Sequence, residues 1–408
     1  MAIVGGGAAG LATAAFLREL NPATSVVVLE GARRPGAKIL VSGGGRCNVT
    51  NAVVSAGDFW GGSPLVVRRV LRALSVDATR EFFARIGVPL HEEANGKLFP
   101  DSNASRDVLN ALLQEVARSG ARLLADCRVS EVSTRDGGFM ISTSHEPIAS
   151  RAVVLATGGR SLPKSGSDGF GYQIAARLGH TIVDTTPALA PLVLDEHVSG
   201  LHKALSGVAH PAELSLWVDG RVTIRLTGSL LWTHFGLSGP LALDASRHWA
   251  RAVLEGRKVQ MRLSVLPGTT FEGMDRRLVT TGRDRPRATA QALLAGLMPA
   301  AVATALISAS GIDAMTAASQ LAREDRRKLA RALVEWTLPV KDTRGYTYAE
   351  ATAGGVALTD VNPATLESLV CPGLYFVGEV LDVDGRIGGF NFQWAWSSAR
   401  VVARALSR

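Results

Sequence analysis

The sequence predicts an α/β fold built on a parallel sheet, with a region of different character inserted in the middle of the chain. Three observations lead to this prediction. The chain opens with a strand, a glycine-rich turn and a helix, and a buried strand near residue 155 ends in a turn of small residues. The chain then closes with a strand, a second glycine-rich turn and a long helix. Alternation of strands and helices is typical of a doubly wound sheet.

The first thirty residues predict a βαβ unit. The apolar run Ala2–Val4 has the character of a strand, an Ala/Leu-rich helix continues to Leu20, and a β-branched strand occupies residues 26–29. Glu30 ends this second strand, where a carboxylate can accept hydrogen bonds from the hydroxyls of a ribose.

Three glycines between the first strand and the helix predict what the unit binds. Gly5 permits a tight turn, Gly7 lets a pyrophosphate approach the backbone, and Gly10 lets the helix lie close to the strand. The free N–H groups at the start of the helix face the phosphates with a favourable dipole. The sequence therefore predicts a dinucleotide-binding Rossmann unit.

A polar, glycine-rich loop follows the unit, from Arg33 to Asn51. Three consecutive glycines permit backbone conformations that other residues resist, and they leave N–H groups bare for a phosphate or the edge of a flavin. Positive charge and neutral hydrogen-bonding groups flank them. We expect this loop to wrap the cofactor through Lys38, Ser42, Gly43, Gly44, Arg46, Cys47, Asn48 and Thr50.

The next part of the chain predicts helices and a meander before the chain re-enters the nucleotide domain. Helical spacing of apolar residues covers 65–87 and 107–118, and alternating segments at 122–132 and 139–144 predict an antiparallel meander. The buried strand 152–156 ends in Ala156, Thr157 and Gly158, a small turn that admits a cofactor against the backbone. A glycine-rich segment containing Asp168 then opens a further helix.

From residue 187 the pattern changes, and we predict an inserted substrate domain over residues 187–344. It contains a β unit at about 187–270 and a helical unit at about 285–338, and it divides the FAD-binding domain into residues 1–186 and 345–408. The segment 227–240 has the character of a glycine-punctuated loop with His234 at its middle. His234 is a candidate proton donor, because histidine titrates near neutral pH, but a role in holding the turn is equally open.

The final segment is typical of the flavin end of an FAD site. The strand 374–377 leads into Gly378 and Glu379, where an acid can bind ribitol hydroxyls. Gly389 and Phe390 follow, and a helix is predicted from Asn391 onward. Its N-terminus would lie under the pyrimidine end of the flavin, where negative charge accumulates on reduction.

Apolar runs, cysteine content and net charge limit the classes of protein to which the chain can belong. No apolar run is long enough to cross a bilayer, and we expect no membrane partner. Cys47, Cys127 and Cys371 are far apart, which argues against a disulfide framework or metal site and favours a cytoplasmic protein. The formal charge is +8, mostly from scattered arginines. This excess indicates either a solvated surface or attraction to a polyanion such as RNA.

With these motifs in hand, the chain resembles the BaiN/RdsA family of NAD(P)/FAD-dependent oxidoreductases, which includes aminoacetone oxidase-like flavoproteins. The matching stretches include SGGGRCNVTN, ATGGRSLPKSGSDGFGYQIA, THFGLSGP, AEATAGGVALTDVN and GLYFVGEVLDVDGRIGGFNFQWAWSSA. The resemblance implies a glutathione-reductase-like FAD-binding Rossmann domain with an inserted β-barrel-like and helical region. It also implies activities such as C=C reduction, in uridine of ribosomal RNA or in bile-acid intermediates, and amine oxidation.

Together the motifs and the resemblance predict a flavoenzyme. The predicted cofactor-binding residues are Gly5, Gly7, Ala8, Ala9, Gly10, Glu30, Lys38, Ser42, Gly43, Gly44, Arg46, Cys47, Asn48, Thr50, Val129, Ala156, Thr157, Gly158, Gly378, Glu379, Gly389, Phe390 and Asn391. Cys47 could also be a proton donor or a redox thiol, although its place among flavin-loop residues favours a packed side chain.

The favoured reaction is reduction of an activated C=C bond, with hydride passing from NAD(P)H to flavin N5 and on to the substrate. The chain has no second GxGxxG in its middle, so NAD(P)H would visit the substrate face as a transient donor. One alternative is an oxidase of a small amine that uses oxygen. A second alternative is an RNA-associated flavoprotein whose FAD is structural. The sequence leaves the oligomeric state, the substrate and the choice between NADH and NADPH open.

Overall fold

A computed structural model describes residues 1–198 and 200–408, and these divide into two compact units. Unit 1 comprises Met1–Thr186 and Ala349–Arg408, and unit 2 comprises Pro187–Tyr348. Each unit has its own apolar core.

The elements up to the boundary are, in order, β1 Ala2–Val4, α1 Ala8–Leu20, β2 Val27–Leu29, α2 Ala37–Val41, β3 Thr50–Asn51, β4 Phe59–Gly61, α3 Pro64–Leu71, α4 Val76–Arg85, β5 Leu90–Glu92, β6 Lys97–Pro100, α5 Ser105–Arg118, β7 Arg122–Leu124, β8 Val129–Arg135, β9 Gly138–Thr143, β10 Ile148–Ser150, β11 Val153–Leu155, α6 Phe170–Arg177 and β12 Ile182–Ala188.

Those of unit 2 are β13 Leu192–Leu194, α7 Leu201–Ala204, β14 Ala209–Val218, β15 Arg221–Thr233, β16 Gly236–Ser238, α8 Gly239–Leu254, β17 Val259–Ser264, α9 Phe271–Asp284, α10 Ala290–Leu293, α11 Ala300–Ala309, α12 Arg323–Val334, β18 Trp336–Leu338 and β19 Val340–Thr343. Unit 1 then resumes with β20 Ala351–Val356, β21 Leu374–Phe376, β22 Val383–Gly385 and α13 Phe390–Leu406.

A five-stranded parallel sheet forms the centre of unit 1, in the order β21-β11-β1-β2-β7. Ile3 of β1 lies opposite Val154 on one side and Val28 on the other, and all three are fully buried. Strands buried on both faces have continuous apolar sequences, which is why Ala2–Val4 and Val153–Leu155 contain no polar residue. This confirms the predicted Rossmann-type α/β fold.

One predicted element was wrong in this region. The segment 122–132 was expected to belong to an antiparallel meander, but β7 pairs with β2 as a parallel edge strand of the main sheet. A parallel partner for β2 requires a crossover connection, and α5 supplies it immediately before β7. The meander itself consists of β8, β9 and β10.

The C-terminal helix α13 is the buried axis of unit 1. It packs along α1, and its residues from Gln393 to Ala399 are all buried. Trp394 and Trp396 donate indole N–H groups to the carbonyls of Gly378 and Val49, both at 2.9–3.0 Å. The helix therefore ties together loops that lie far apart in the sequence.

Unit 2 has a seven-stranded antiparallel sheet in the order β18-β17-β14-β15-β16-β13-β19. Its two edge strands are consecutive in the chain and only Pro339 separates them. The sheet must therefore curl until its edges approach, which gives the β-barrel-like character expected of the inserted region. Side chains from the strands and helices share one core, including Leu214, Trp232, Leu306 and Leu333.

The predicted loop over residues 227–240 is wrong. β15 continues to Thr233, a tight turn follows, β16 pairs back on β15, and α8 starts at Gly239. The glycines explain the error. Gly228 lies within β15, where a Cβ would make an ordinary contact 3.5 Å from Leu241 of α8, so this glycine occupies a strand position and does not mark a loop.

Within the described ranges, none of the helices has the length and apolar character that crossing a bilayer requires.

Candidate functional site

The turn between β1 and α1 shows why two of its three glycines are required by the protein itself. Gly5 has φ +110°, and a Cβ there would be 2.4 Å from the carbonyl oxygen of Ala156. A Cβ on Gly10 would be 1.9 Å from the carbonyl oxygen of Gly5. A side chain at Gly5 would push the turn away from the end of β11, and one at Gly10 would push α1 away from the end of β1.

Gly7 is different, because a Cβ there would meet no atom within 4 Å. Its side of the turn is an open groove. Gly7 is the N-cap of α1, no side chain caps this end, and the first turn, with Ala8 and Ala9, contains no acidic residue. The N–H groups of that turn are therefore available to an anion, and the groove fits the pyrophosphate of a dinucleotide.

Glu30 lies beside this turn. Its two carboxylate oxygens accept hydrogen bonds from the backbone N–H groups of Gly6 and Ala32, each at 2.7 Å. These bonds hold the carboxylate at the end of β2, and its remaining lone pairs can accept ribose hydroxyls. Val129 begins β8, one residue after Arg128, whose side chain lies 2.9 Å from where a Cβ of Gly31 would be.

Lys38 and Glu379, far apart in sequence, form an ion pair at 2.6 Å. Lys38 also donates to Ser161 Oγ at 2.7 Å, and Ser161 donates to Glu379 Oε1 at 3.0 Å. The backbone N–H of Thr352 donates to the same carboxylate oxygen at 2.8 Å. We call these four residues the Glu379 cluster.

The cluster keeps Glu379 ionised. Burial opposes the charge, but the Lys38 ammonium, with the hydrogen bonds from Ser161 and Thr352, outweighs it and holds the pKa of Glu379 below its usual value. Ser161 and Thr352 were not among the predicted site residues. Both lie in stretches that carry the family resemblance, but only the fold shows that they meet Glu379.

The loop after α2 is built from left-handed backbone. Gly43, Gly44 and Gly45 have φ of +56°, +69° and +86°, and Cys47 has φ +63°. Ser42 closes the turn, since its carbonyl accepts from the N–H of Cys47 at 3.0 Å. This confirms the conformational reason for the three glycines.

Two side chains of this loop have protein partners. Arg46 pairs with Glu93 at 2.7 Å and lies over the ring of Phe99. Cys47 is fully buried, and burial raises the pKa of its thiol to about 12. A thiol that stays protonated at neutral pH is a packed side chain and not a reactive thiolate.

The same loop meets the start of α13. The side-chain amide of Asn48 joins the two segments: its oxygen accepts from Gly389 N at 3.2 Å, and its nitrogen donates to Thr50 O at 2.8 Å. Gly389 has φ +92°, and a Cβ there would be 2.4 Å from Thr50 O. Asn391 bonds Gly385 in both directions at 2.8 and 3.0 Å, which fixes the helix start.

The remaining predicted residues of this region also come from separate elements. Thr157 and Gly158 follow β11, and Phe390 packs edge-on against Phe59. Gly378 donates to Ser398 Oγ at 2.9 Å. All the predicted cofactor-binding residues thus lie in unit 1, drawn from the β1–α1 turn, the end of β2, α2 and the loop after it, the start of β8, the ends of β11 and β21, and the start of α13. Their contact with a cofactor stays a prediction.

His234 lies in unit 2, at the two-residue turn between β15 and β16. Its ring is exposed and stands edge-on to Phe235 at 5.1 Å. The turn is held by backbone pairing of Thr233 with Gly236, so the ring itself is not needed to close it.

The parallel sheet, the glycine turn with its open groove and the carboxylate at the end of β2 define a dinucleotide-binding protein of the Rossmann class. Residues 1–405 match the family model described as the HI0933-like protein Rossmann domain. The chain belongs to this family, and it is an FAD-dependent oxidoreductase.

Two relatives match along almost their whole length. The chain is 34% identical to the 3-dehydro-bile acid delta(4,6)-reductase of Clostridium scindens, over 99% of this chain and 98% of the relative. It is 32% identical to the ribosomal RNA dihydrouridine synthase of Escherichia coli K12, over 99% and 97%. Among solved structures, it resembles 3-ketosteroid delta1-dehydrogenase from Sterolibacterium denitrificans with a TM-score of 0.50, 12% identity and coverage of 100% and 98%, a likeness in fold alone.

Proposed function

We propose that this protein is an NAD(P)H-driven reductase that saturates an activated C=C bond. One observation supports this most: two relatives that match the whole chain have names that describe the same chemistry on different molecules. Dihydrouridine is uridine whose ring double bond has been saturated, and the bile-acid enzyme is named as a reductase of conjugated positions.

The residues of unit 1 would hold the cofactor along one groove. Glu30 would bind the adenosine ribose, the N–H groups after Gly7 the pyrophosphate, and Glu379 the ribitol hydroxyls. Bound FAD supplies the hydride chemistry that no amino-acid side chain can perform. A Cβ added to Gly44 would meet no atom within 4 Å, so the left-handed loop is open at this point. Its backbone N–H groups would be available to the edge of the flavin.

We further propose that NAD(P)H donates transiently at the face that also receives substrate. The chain has a single dinucleotide motif of the GxGxxG type, and FAD would occupy it. His234 is the proposed proton donor to the substrate, supported by its exposure at the turn and by the ability of an imidazole to transfer a proton. The alternative, that His234 only holds the turn, has less support, because backbone pairing of Thr233 with Gly236 already closes the turn.

For the substrate we propose uridine in RNA. Five exposed arginines of unit 2 support this choice: Arg276, Arg277, Arg283, Arg285 and Arg287. Within the described residues none of them has an ion-pair partner, so their charge is available to phosphates. Three buried, unpaired cysteines support a reducing compartment, and we propose the cytoplasm.

Anaerobic reduction of the purified yellow protein tests this function. We expect NADPH or NADH to bleach the flavin absorbance, and ribosomal RNA lacking dihydrouridine, or a small enone, to restore it. A His234→Gln variant should bleach normally and reoxidise more slowly with the C=C substrate.

Other outcomes would contradict the proposal. Bleaching by an amine, with rapid return of colour in air and no response to either nicotinamide, would identify an oxidase. RNA binding without any flavin cycling would identify a flavoprotein whose FAD is structural.

A further inference from the structure

The segment between β11 and α6 contains a hydroxyl without a protein partner. Ser167 is 5% exposed, and its Oγ is buried without a hydrogen bond to any described residue. A buried hydroxyl left unpaired costs free energy on the order of 1–3 kcal/mol, so native structures rarely keep one without a reason. Ser167 was not among the predicted cofactor-binding residues.

The position of this hydroxyl points to the dinucleotide groove. A Cβ on Gly158, with φ +71°, would be 2.8 Å from Ser167 Oγ and 3.7 Å from Glu379 Oε2. A Cβ on Gly166, the residue immediately before Ser167, would be 3.8 Å from Glu30 Oε1. The short stretch Gly166–Ser167 therefore runs from the predicted ribose carboxylate towards the predicted ribitol carboxylate.

The backbone around Ser167 is held on both sides. Gly166 donates to Pro163 O at 3.1 Å, and Gly169 donates to Gly159 O at 3.0 Å. Asp168 pairs with Arg128 at 2.6 Å and accepts from Phe170 N at 3.0 Å. The backbone that bears the hydroxyl is thus held in place by the protein itself.

We propose that Ser167 donates its O–H to the pyrophosphate of bound FAD. The pyrophosphate is the part of FAD that lies between its ribose and its ribitol, which are the two groups whose predicted carboxylates this stretch connects. A hydroxyl donating to a charged phosphate oxygen gains more than it would from a neutral acceptor. The inference rests on the proposed occupation of this groove by FAD.

The test compares Ser167→Ala with a control in the same segment. Ser165→Ala removes a hydroxyl that already donates to Leu162 O at 2.7 Å. Flavin-stripped proteins are titrated with FAD and, separately, with ADP, and binding is followed by fluorescence and by the 450 nm absorbance. We expect Ser167→Ala to weaken both ligands about tenfold and Ser165→Ala to leave both unchanged.

A second readout separates a ligand contact from a structural one. Since the hydroxyl is unpaired in the protein alone, its removal should leave the Tm of the flavin-free protein unchanged or slightly raised, whereas loss of a structural bond would lower it.

Two results would overturn the proposal: Ser167→Ala with wild-type affinity for FAD, or weakened FAD binding with wild-type ADP binding, which would place the contact elsewhere. Failure of the wild-type protein itself to bind FAD would refute the proposed function instead.

Discussion

Among single residues, Glu379 shows how the fold sustains a charge that is largely removed from water. Its carboxylate loses hydration, and it persists as an anion because an ammonium, a hydroxyl and a backbone N–H face it. A buried pair of this kind contributes modestly when complete but is costly when one partner is removed. The Glu379 cluster is therefore sensitive to pH in a way that depends on Lys38.

The first prediction concerns Lys38→Met. In the natural protein the pKa of Glu379 lies below 4.5, so its contribution is fully present above that pH and is lost as the pH falls through the folded-state pKa. In Lys38→Met burial dominates and raises the pKa of Glu379 above 4.5. Relative to the natural protein, stability should then fall as the pH rises from 5 to 7, with a cost of roughly 1–3 kcal/mol at pH 7.

Urea unfolding followed by circular dichroism at pH 5 and pH 7 measures the effect. The double variant Lys38→Met, Glu379→Gln is the matched control, since it removes both charges and should keep the pH dependence of the natural protein, which includes that of the buried histidines His180, His210 and His248. A stability difference between Lys38→Met and the double variant that is the same at both pH values would contradict the prediction.

The residue scale also shows what a sequence can and cannot predict. The roles of Gly5 and Gly10 could be predicted because they depend on local spacing within one βαβ unit. The partners of Glu379 could not, because Lys38 lies 341 positions away and Ser161 reaches it from a different strand end. Such contacts exist only once the sheet has brought the strand ends together.

At the scale of elements, the glycines of the β1–α1 turn have two different functions, although the sequence motif treats them alike: one allows helix and strand to pack closely, and the other leaves space for a ligand. Gly10 is required by packing of helix on strand, and Gly7 faces open space. The motif alone does not distinguish them, but the positions of the missing Cβ atoms do.

The second prediction therefore contrasts Gly7→Ala with Gly10→Ala. Gly7 has φ −82°, which alanine adopts freely, so the flavin-free protein should keep its stability to within about 1 kcal/mol. FAD affinity should fall at least tenfold, because the methyl group would occupy the groove. In Gly10→Ala the Cβ collides with a backbone carbonyl, and the unfolding free energy should fall by roughly 2–4 kcal/mol.

Thermal unfolding of flavin-free protein and FAD titration measure the two effects separately. Gly7→Ala that binds FAD as tightly as the natural protein would show that the cofactor does not approach this turn. Gly10→Ala with unchanged Tm would show that α1 can shift without cost.

Errors in predicting elements have physical causes of the same kind. The hairpin of β15 and β16 was taken for a loop because Gly228 and Gly236 resemble turn residues. Gly236, with φ +149°, instead lets β13 approach, since a Cβ there would be 2.3 Å from Leu192 O. By contrast the helix at the C-terminus was predicted correctly from Asn391 onward, because its capping glycines and its apolar spacing are local signals.

At the scale of the whole molecule, the chemistry divides between the two units. Unit 1 contains all the predicted cofactor-binding residues, while unit 2 contains His234 and the five exposed arginines. The sequence alone gives the net charge of +8, but it could not tell which arginines are already paired. Arg225 and Arg257 pair with Glu213 and Asp219, whereas Arg276 and Arg277 of α9 have no such partner within the described residues.

This difference yields the third prediction. If unit 2 binds RNA through the free guanidinium groups, Arg276→Gln, Arg277→Gln should weaken RNA binding and lower the slope of log K against log salt by about 1.5, because each lost phosphate contact removes roughly 0.7–0.9. The matched control Arg225→Gln, Arg257→Gln changes the net charge equally but removes guanidinium groups already bound to carboxylates, so its slope should change less. FAD occupancy and reduction of a small enone should be unchanged in both variants.

Filter binding of ribosomal RNA between 50 and 300 mM salt measures the slopes. Equal slopes for the two variants would mean that RNA responds only to net charge, and enone reduction with no RNA binding at all would assign the enzyme a small-molecule substrate.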